Sequence, residues 1–147
     1  YGNFEKLSEK IELPKRATSK SSGYDFYSPI DFELKPNQII KVPTGIKAYM
    51  EGNEYLSLYV RSSLGFNHNI RLCNQVGIID SDYFNNEFNE GHIFIAFQNE
   101  GHETWKVKQG DRIAQGIFTT YLTIDEEETN FSERKGGLGS TGKGVKE

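Results

Sequence analysis

From Ile30 to Val60 the chain changes direction every few residues. Ile30, Phe32 and Leu34 alternate with polar residues, and Lys35-Pro36-Asn37 then turns the chain. Ile39, Ile40 and Val42 run to a second turn at Pro43-Thr44-Gly45, after which Ile46, Ala48 and Met50 alternate again. Glu51-Gly52-Asn53-Glu54 makes a third turn before Tyr55 to Val60. Side chains on a strand point to opposite faces in turn, so period-two apolar runs between turn residues dictate short, half-buried strands. At this spacing they predict an all-β sandwich or barrel. No internal repeat or low-complexity linker interrupts the pattern, and 147 residues suffice for one domain with its own core.

The hydrophobic share of 35% is low for a self-contained globule, so part of the core is expected to be completed by partner subunits. A net charge of −4 with no block of Lys and Arg argues against a nucleic-acid-binding face, although local arginines can still hold a small anion. The single cysteine, Cys73, has no internal disulfide partner; between Leu72 and Asn74 it reads as a buried, inert thiol in a strand, consistent with a cytoplasmic setting. No stretch has transmembrane length, and the start at Tyr1 carries no signal-peptide pattern, so neither membrane nor secretion is expected. His68 reads as a surface residue, and His92 and His102 lack companions at zinc-ligand spacing.

Five stretches carry chemistry. Phe4 to Leu13 is weakly suited to a strand, and beyond it Ala17 to Ser28 leads through small hydroxylated residues into Gly23 and a short strand, Tyr24 to Tyr27. Asp25 there needs partners if buried, because an unpaired buried carboxylate is costly. Arg61-Ser62-Ser63-Leu64-Gly65 ends a strand and predicts a helix start capped by Ser62 or Ser63, with free N–H groups suited to phosphate and Asn67-His68-Asn69 following as a loop. Asn74 to Tyr83 (N-Q-V-G-I-I-D-S-D-Y) reads as a hairpin: Val76, Ile78 and Ile79 as a buried strand, Gly77 as a close backbone approach, and Asp80 with Tyr83 at an acidic turn. Taken alone it is an ordinary hairpin with an Asp-rich turn. After a polar connection from Phe84 to Gly91, His92 to Gln98 and Thr104 to Val107 read as strands. Gly110 to Gln115 then enters a strand running to about Leu122, where Arg112 pairs with Asp25 or Asp111 or lines an anion site, and Gln115 needs a polar partner. The tail Phe131 to Gly142 is glycine-rich with basic residues and hydroxyls, either a loose end or a lid over a phosphorylated ligand.

In order and spacing these stretches, over residues 17–142, resemble the trimeric dUTPase family. The resemblance implies a small jelly-roll-like β-barrel (a β-clip) over residues 1–125, a C-terminal arm over residues 126–147, and a homotrimer whose sites are shared between subunits. It implies hydrolysis of dUTP to dUMP and pyrophosphate by water attack on the α-phosphate, with Asp80 activating the water. Asn74, Gly77, Ile78 and Ile79 would read uracil, and Tyr83 would pack under the sugar and exclude ribose. Arg61, Ser62, Ser63 and Gln115 would hold phosphates. Arg134, Leu138, Gly139, Ser140 and Thr141 would close from the tail, and Mg²⁺ would ride on the triphosphate with Asp25 touching its water shell. This chain departs from the family pattern in three places. Leu138 stands where a stacking phenylalanine is usual, leaving Phe131 as the nearest aromatic lid. Glu133 stands at the usual arginine position, with Arg134 next to it. The Phe84–Gly91 connection is longer than in compact members, as in a branch found in Gram-positive bacteria and their phages. The alternatives are a dUTPase-fold protein that binds a regulatory protein, and a dCTP deaminase.

Overall fold

The structure is a computed structural model that describes residues 9–128, 131 and 133–137. Among the described residues, nine strands form antiparallel sheets with one short α-helix. The strands are β1 (Tyr24–Tyr27), β2 (Phe32–Leu34), β3 (Ile39–Pro43), β4 (Glu54–Tyr59), β5 (Ile70–Leu72), β6 (Gly77–Asp80), β7 (Phe94–Asn99), β8 (Trp105–Val107) and β9 (Arg112–Thr120); α1 (Ser62–His68) lies between β4 and β5. The sheets run β1-β9-β4-β6, β2-β8 and β3-β7-β5. Neighbours in these sheets are mostly remote in sequence, as in a jelly roll.

Alternation fills the interior between the sheets. Leu56 and Leu58 of β4, Val42 of β3, and Ile95 and Phe97 of β7 are buried, as are Ile113 and Ala114 of β9. Phe97 and Phe32 each meet Trp105 edge-on, with ring centroids 5.3 and 5.4 Å apart, a geometry that adds to the area they bury. Asn99 is fully buried and satisfied: its Nδ2 donates to the Leu34 and Glu103 carbonyls at 2.8 Å each, and its Oδ1 accepts from Gly101 N at 2.8 Å. Such a residue costs little only because every polar atom is paired.

Several local expectations are corrected. Residues 46–50 keep their alternating burial but form no strand; Ile46 O instead accepts from Ile93 N at 2.8 Å. Among the described residues of the first stretch, 9–13 form no strand, and Leu13 is exposed. The strand expected from His92 begins two residues later and ends at Asn99, and β9 stops at Thr120. Cys73 sits in the turn after β5 and is only half-buried, because the strand ends at Leu72. No helix among the described residues is long and apolar enough to cross a membrane.

Candidate active site

The hairpin segment from Asn74 to Tyr83 forms one wall of a cavity of about 410 Å³. β6 pairs with β4, placing Gly77 opposite Leu58, Ile79 opposite Leu56 and Asp80 opposite Tyr55. Strand alternation turns Gly77 and Ile79 inward, so Ile78 at 54% and Val76 at 37% are exposed; only part of the run is buried, contrary to the reading of a wholly buried strand. Gly77 is required for the approach: a Cβ there would lie 3.0 Å from the Leu58 Cβ. A single 3₁₀ turn, Ser81–Tyr83, then carries the chain away from Asp80 and places Tyr83 on the same cavity.

The opposite wall was not foreseen from sequence. Lys41, Phe94, Ile95 and Ala96 line the cavity together with Leu72 and Cys73. Register brings them there, since Lys41 pairs with Ala96 and Cys73 N donates to Ala96 O at 2.9 Å. Lys41 Nζ lies 4.6 Å from the Phe94 ring centroid, so a cation sits over an aromatic face at the cavity edge. The one local signal is a lysine within the run Ile39-Ile40-Lys41-Val42, and nothing in the sequence links it to residues 94–96.

The tail closes this cavity from its own chain. Arg134 Nη2 donates to Asp80 Oδ2 at 2.6 Å and its Nε to Asp82 Oδ1 at 2.5 Å, while Nη1 donates to the Gly136 carbonyl at 3.0 Å. Gly137 lies on Tyr83, where an added Cβ would be 2.8 Å from the ring, and Gly136 lies equally close to the Phe88 ring. Both tail glycines lie in close approach to an aromatic ring, with Tyr83 held by hydrogen bonds and Phe88 exposed. Phe131 is 74% exposed and does not line the cavity. Leu138, Gly139, Ser140 and Thr141 lie outside the described residues.

A second polar cluster lies elsewhere. Asp25 is 8% exposed and paired through both oxygens: Arg61 Nε donates to Oδ1 at 3.1 Å, and Arg112 Nη1 lies 3.6 Å from Oδ2. Asp25 faces Gln115 in the β1–β9 register, and Gln115 Nε2 donates to the Val60 carbonyl at 3.2 Å. Arg112 thus takes the Asp25 partnership, while Asp111 accepts from Lys108 N. Ser62 and Ser63 open α1 as helical residues; Arg61 occupies the N-cap and no side chain caps the helix, contrary to expectation. The helix also runs through Asn67 and His68, and Asn69 ends it in the left-handed region at φ 53°.

The two clusters are separate within one chain. Asp80 faces Tyr55 near the start of β4, whereas Arg61 follows its far end, six residues on. At strand rise this separates them by about 20 Å. No group of three or more His, Cys, Asp or Glu side chains among the described residues could hold a metal ion, and both Asp25 oxygens are turned to arginines. The donor set among the described residues does not fit a resident metal.

The architecture is thus an antiparallel β-barrel with a cavity walled by the hairpin segment and bordered by an acidic turn. A family model described as dUTPase matches residues 9–142. The deoxyuridine 5'-triphosphate nucleotidohydrolase of Lactococcus lactis is 43% identical over 133 residues, covering 90% of this chain and 89% of that protein. Its counterpart in Laribacter hongkongensis is 38% identical over 139 residues, with 90% and 89% covered. Among solved structures, the dUTPase from Streptococcus mutans superposes with a TM-score of 0.73 at 44% identity, covering 80% of this chain and 91% of that one. The dUTPase from phage phi11 of S. aureus shares the fold, with a TM-score of 0.71 at 19% identity over 86% of this chain and 94% of that one. The chain belongs to the dUTPase family.

Proposed function

We propose that this chain hydrolyses dUTP to dUMP and pyrophosphate. The observation that carries the reading is the cavity in which Asn74, the backbone of Gly77 to Ile79, Asp80 and Tyr83 meet. Backbone amides and carbonyls of a paired hairpin form a rigid donor–acceptor edge for uracil, and a C5 methyl has no room against it. Tyr83 packs under the deoxyribose. Asp80, on the cavity rim, orients a water for in-line attack on the α-phosphorus and takes its proton as the P–O bond to pyrophosphate breaks.

Arg61, Ser62 and Ser63, assisted by Gln115, hold the phosphates of a neighbouring subunit's substrate. This reading rests on the separation of Arg61 from Asp80 along β4, too long for one triphosphate to span within one chain. It makes the working form an oligomer with shared sites, in keeping with exposed apolar residues such as Phe118, Leu122 and Ile124, and the resemblance to the trimeric dUTPases makes that oligomer a homotrimer. Mg²⁺ enters on the triphosphate as part of the substrate, with Asp25 touching its water shell at most. Residues 126–147 act as an arm on the domain formed by residues 1–125, and Arg134, Leu138, Gly139, Ser140 and Thr141 close over the nucleotide. The setting is cytoplasmic, where dUTP would otherwise enter DNA and dUMP is consumed.

The deciding assay is pyrophosphate release, with Mg²⁺, from dUTP, dTTP, dCTP and UTP in parallel. Release from dUTP alone is expected. Ammonia release from dCTP would replace this reading with the deaminase, and inactivity on all four nucleotides would favour a protein-binding role.

A further inference from the structure

The connection from Phe84 to Gly91 is not a plain solvated loop but an asparagine-stapled turn built around Tyr83. The Tyr83 hydroxyl donates to the His92 carbonyl at 2.6 Å and accepts from Asn89 Nδ2 at 2.8 Å. Asn89 is itself held: its Oδ1 accepts from Asn86 Nδ2 at 2.7 Å and from Gly91 N at 3.1 Å, and its carbonyl accepts from His92 N at 3.0 Å. Asn86, 6% exposed, grips the other end of the tyrosine by donating to the Tyr83 carbonyl at 2.8 Å, and its Oδ1 accepts from Phe88 N at 3.0 Å and Asn89 N at 3.2 Å. Tyr83 is therefore fixed at its backbone and at its phenol oxygen by the same short segment.

A tyrosine that lines a cavity can swing about its χ angles unless its far end is anchored. Two hydrogen bonds on one phenol oxygen, one donated and one accepted, leave a single ring position. A wall that distinguishes a sugar carbon bearing hydrogen from one bearing hydroxyl must hold its place to a fraction of an ångström, and such precision comes from the residues behind the wall.

We propose that Asn89 is a positioning residue that, through the Tyr83 hydroxyl, sets the discrimination between deoxyribonucleotide and ribonucleotide. This rests on Tyr83 being the wall against the sugar. Asn89 touches no substrate atom; it acts by fixing the ring, with Asn86 holding Asn89.

The test is a double-mutant cycle on Tyr83→Phe and Asn89→Ala, read as the ratio of kcat/KM for dUTP to that for UTP, with melting temperature measured alongside. Asn89→Ala is expected to lower the ratio by roughly fivefold, the share of one net hydrogen bond, and Tyr83→Phe, which removes both bonds on the hydroxyl, by at least as much. The double variant is expected to fall no further than Tyr83→Phe alone, since loss of the hydroxyl already deletes the bond that Asn89→Ala removes. Melting temperature lowered by Asn89→Ala with the ratio at its wild-type value would overturn the proposal and leave Asn89 a loop staple. Should Asn89→Ala fail to fold, an unchanged ratio in Tyr83→Phe still overturns the proposal, because Asn89 acts only through that hydroxyl. Tyr83→Ala separates the two levels: if even this variant keeps the wild-type ratio, the sugar wall is misassigned and the positioning role falls with it.

Discussion

The Arg134 guanidinium holds Asp80 and Asp82 together, donating to one carboxylate at 2.6 Å and to the other at 2.5 Å. The arginine side chain is 15% exposed, whereas those of Asp80 and Asp82 are 53% and 61% exposed. Pairs this open to water contribute at most about 1 kcal/mol each. A polyphosphate entering the cavity offers the same guanidinium a higher charge density, so transfer of Arg134 from Asp80 to phosphate oxygens is favourable. In the proposed reaction that transfer would free the carboxylate for its water.

Replacing Asp80 separates binding from turnover. Asp80→Asn retains size and polarity but cannot take the proton of the attacking water. Turnover is expected to fall by about 10²-fold or more, while calorimetry with a non-hydrolysable dUTP analogue shows affinity within severalfold of wild type. Loss of affinity with normal single-turnover rates would contradict the role.

Removing residues 134–147 deletes the guanidinium and the glycines that lie on Tyr83 and Phe88. Of the described residues in this segment, 134–137, none belongs to the hydrophobic core. The truncated chain is expected to keep its oligomeric mass in light scattering and its melting temperature within a few degrees, but to lose most of its kcat/KM for dUTP.

Asp25 is tied to Arg61 and Arg112, so Asp25→Asn acts on stability and on phosphate binding together. Arg61 is only partly exposed and loses its charged acceptor, at a cost of about 1–3 kcal/mol. Chemical denaturation should show the loss, and KM for dUTP should rise because Arg61 is no longer held in orientation.

Gly77→Ala puts a methyl 3.0 Å from the Leu58 Cβ, within a paired stretch where neither backbone can move alone. The strain of such overpacking is about 1–3 kcal/mol. It is expected to appear both as a lowered melting temperature and as a raised KM for dUTP, since the displaced segment is the one that reads the base.

His92 supplies a pH dependence. Burial lowers its pKa below the usual 6.5, and its Nε2 accepts from Gly45 N at 2.9 Å, a bond that needs the neutral ring. The folded chain thus binds this proton less readily than the unfolded chain. The stability associated with neutral His92 is complete above the unfolded value and is lost as pH falls below about 6.5. Melting temperature should decline on acidification through that range, and His92→Gln should flatten the decline.

The strands from β1 to β4 were readable because turn residues and period-two alternation act within a few neighbours. The Gly77 approach was readable for the same local reason. Ile46 to Met50 alternates just as well, yet forms no ladder because its neighbour in space, around Ile93, offers single bonds in place of a strand edge. At α1 the serines looked like caps, but β4 ends one residue sooner and Arg61 takes the cap. Val76 and Ile78 are apolar yet face outward, because alternation from the inward Gly77 leaves them no choice.

By itself the sequence determined an all-β chain and the residue types of the chemistry: a carboxylate and an aromatic after a hairpin, an arginine with two serines, and a glycine-rich tail. These follow from steric preferences and spacing over a few residues. Tertiary structure alone decided that Lys41 lies over Phe94 on one wall of the cavity, that Arg134 closes on Asp80 of its own chain, and that Asn89 anchors the Tyr83 hydroxyl. The first two join positions more than fifty residues apart. The third joins near neighbours, but only because the turn brings a side chain back onto a ring already packed against the barrel. Long-range register and packing settle such contacts, and no local pattern encodes them.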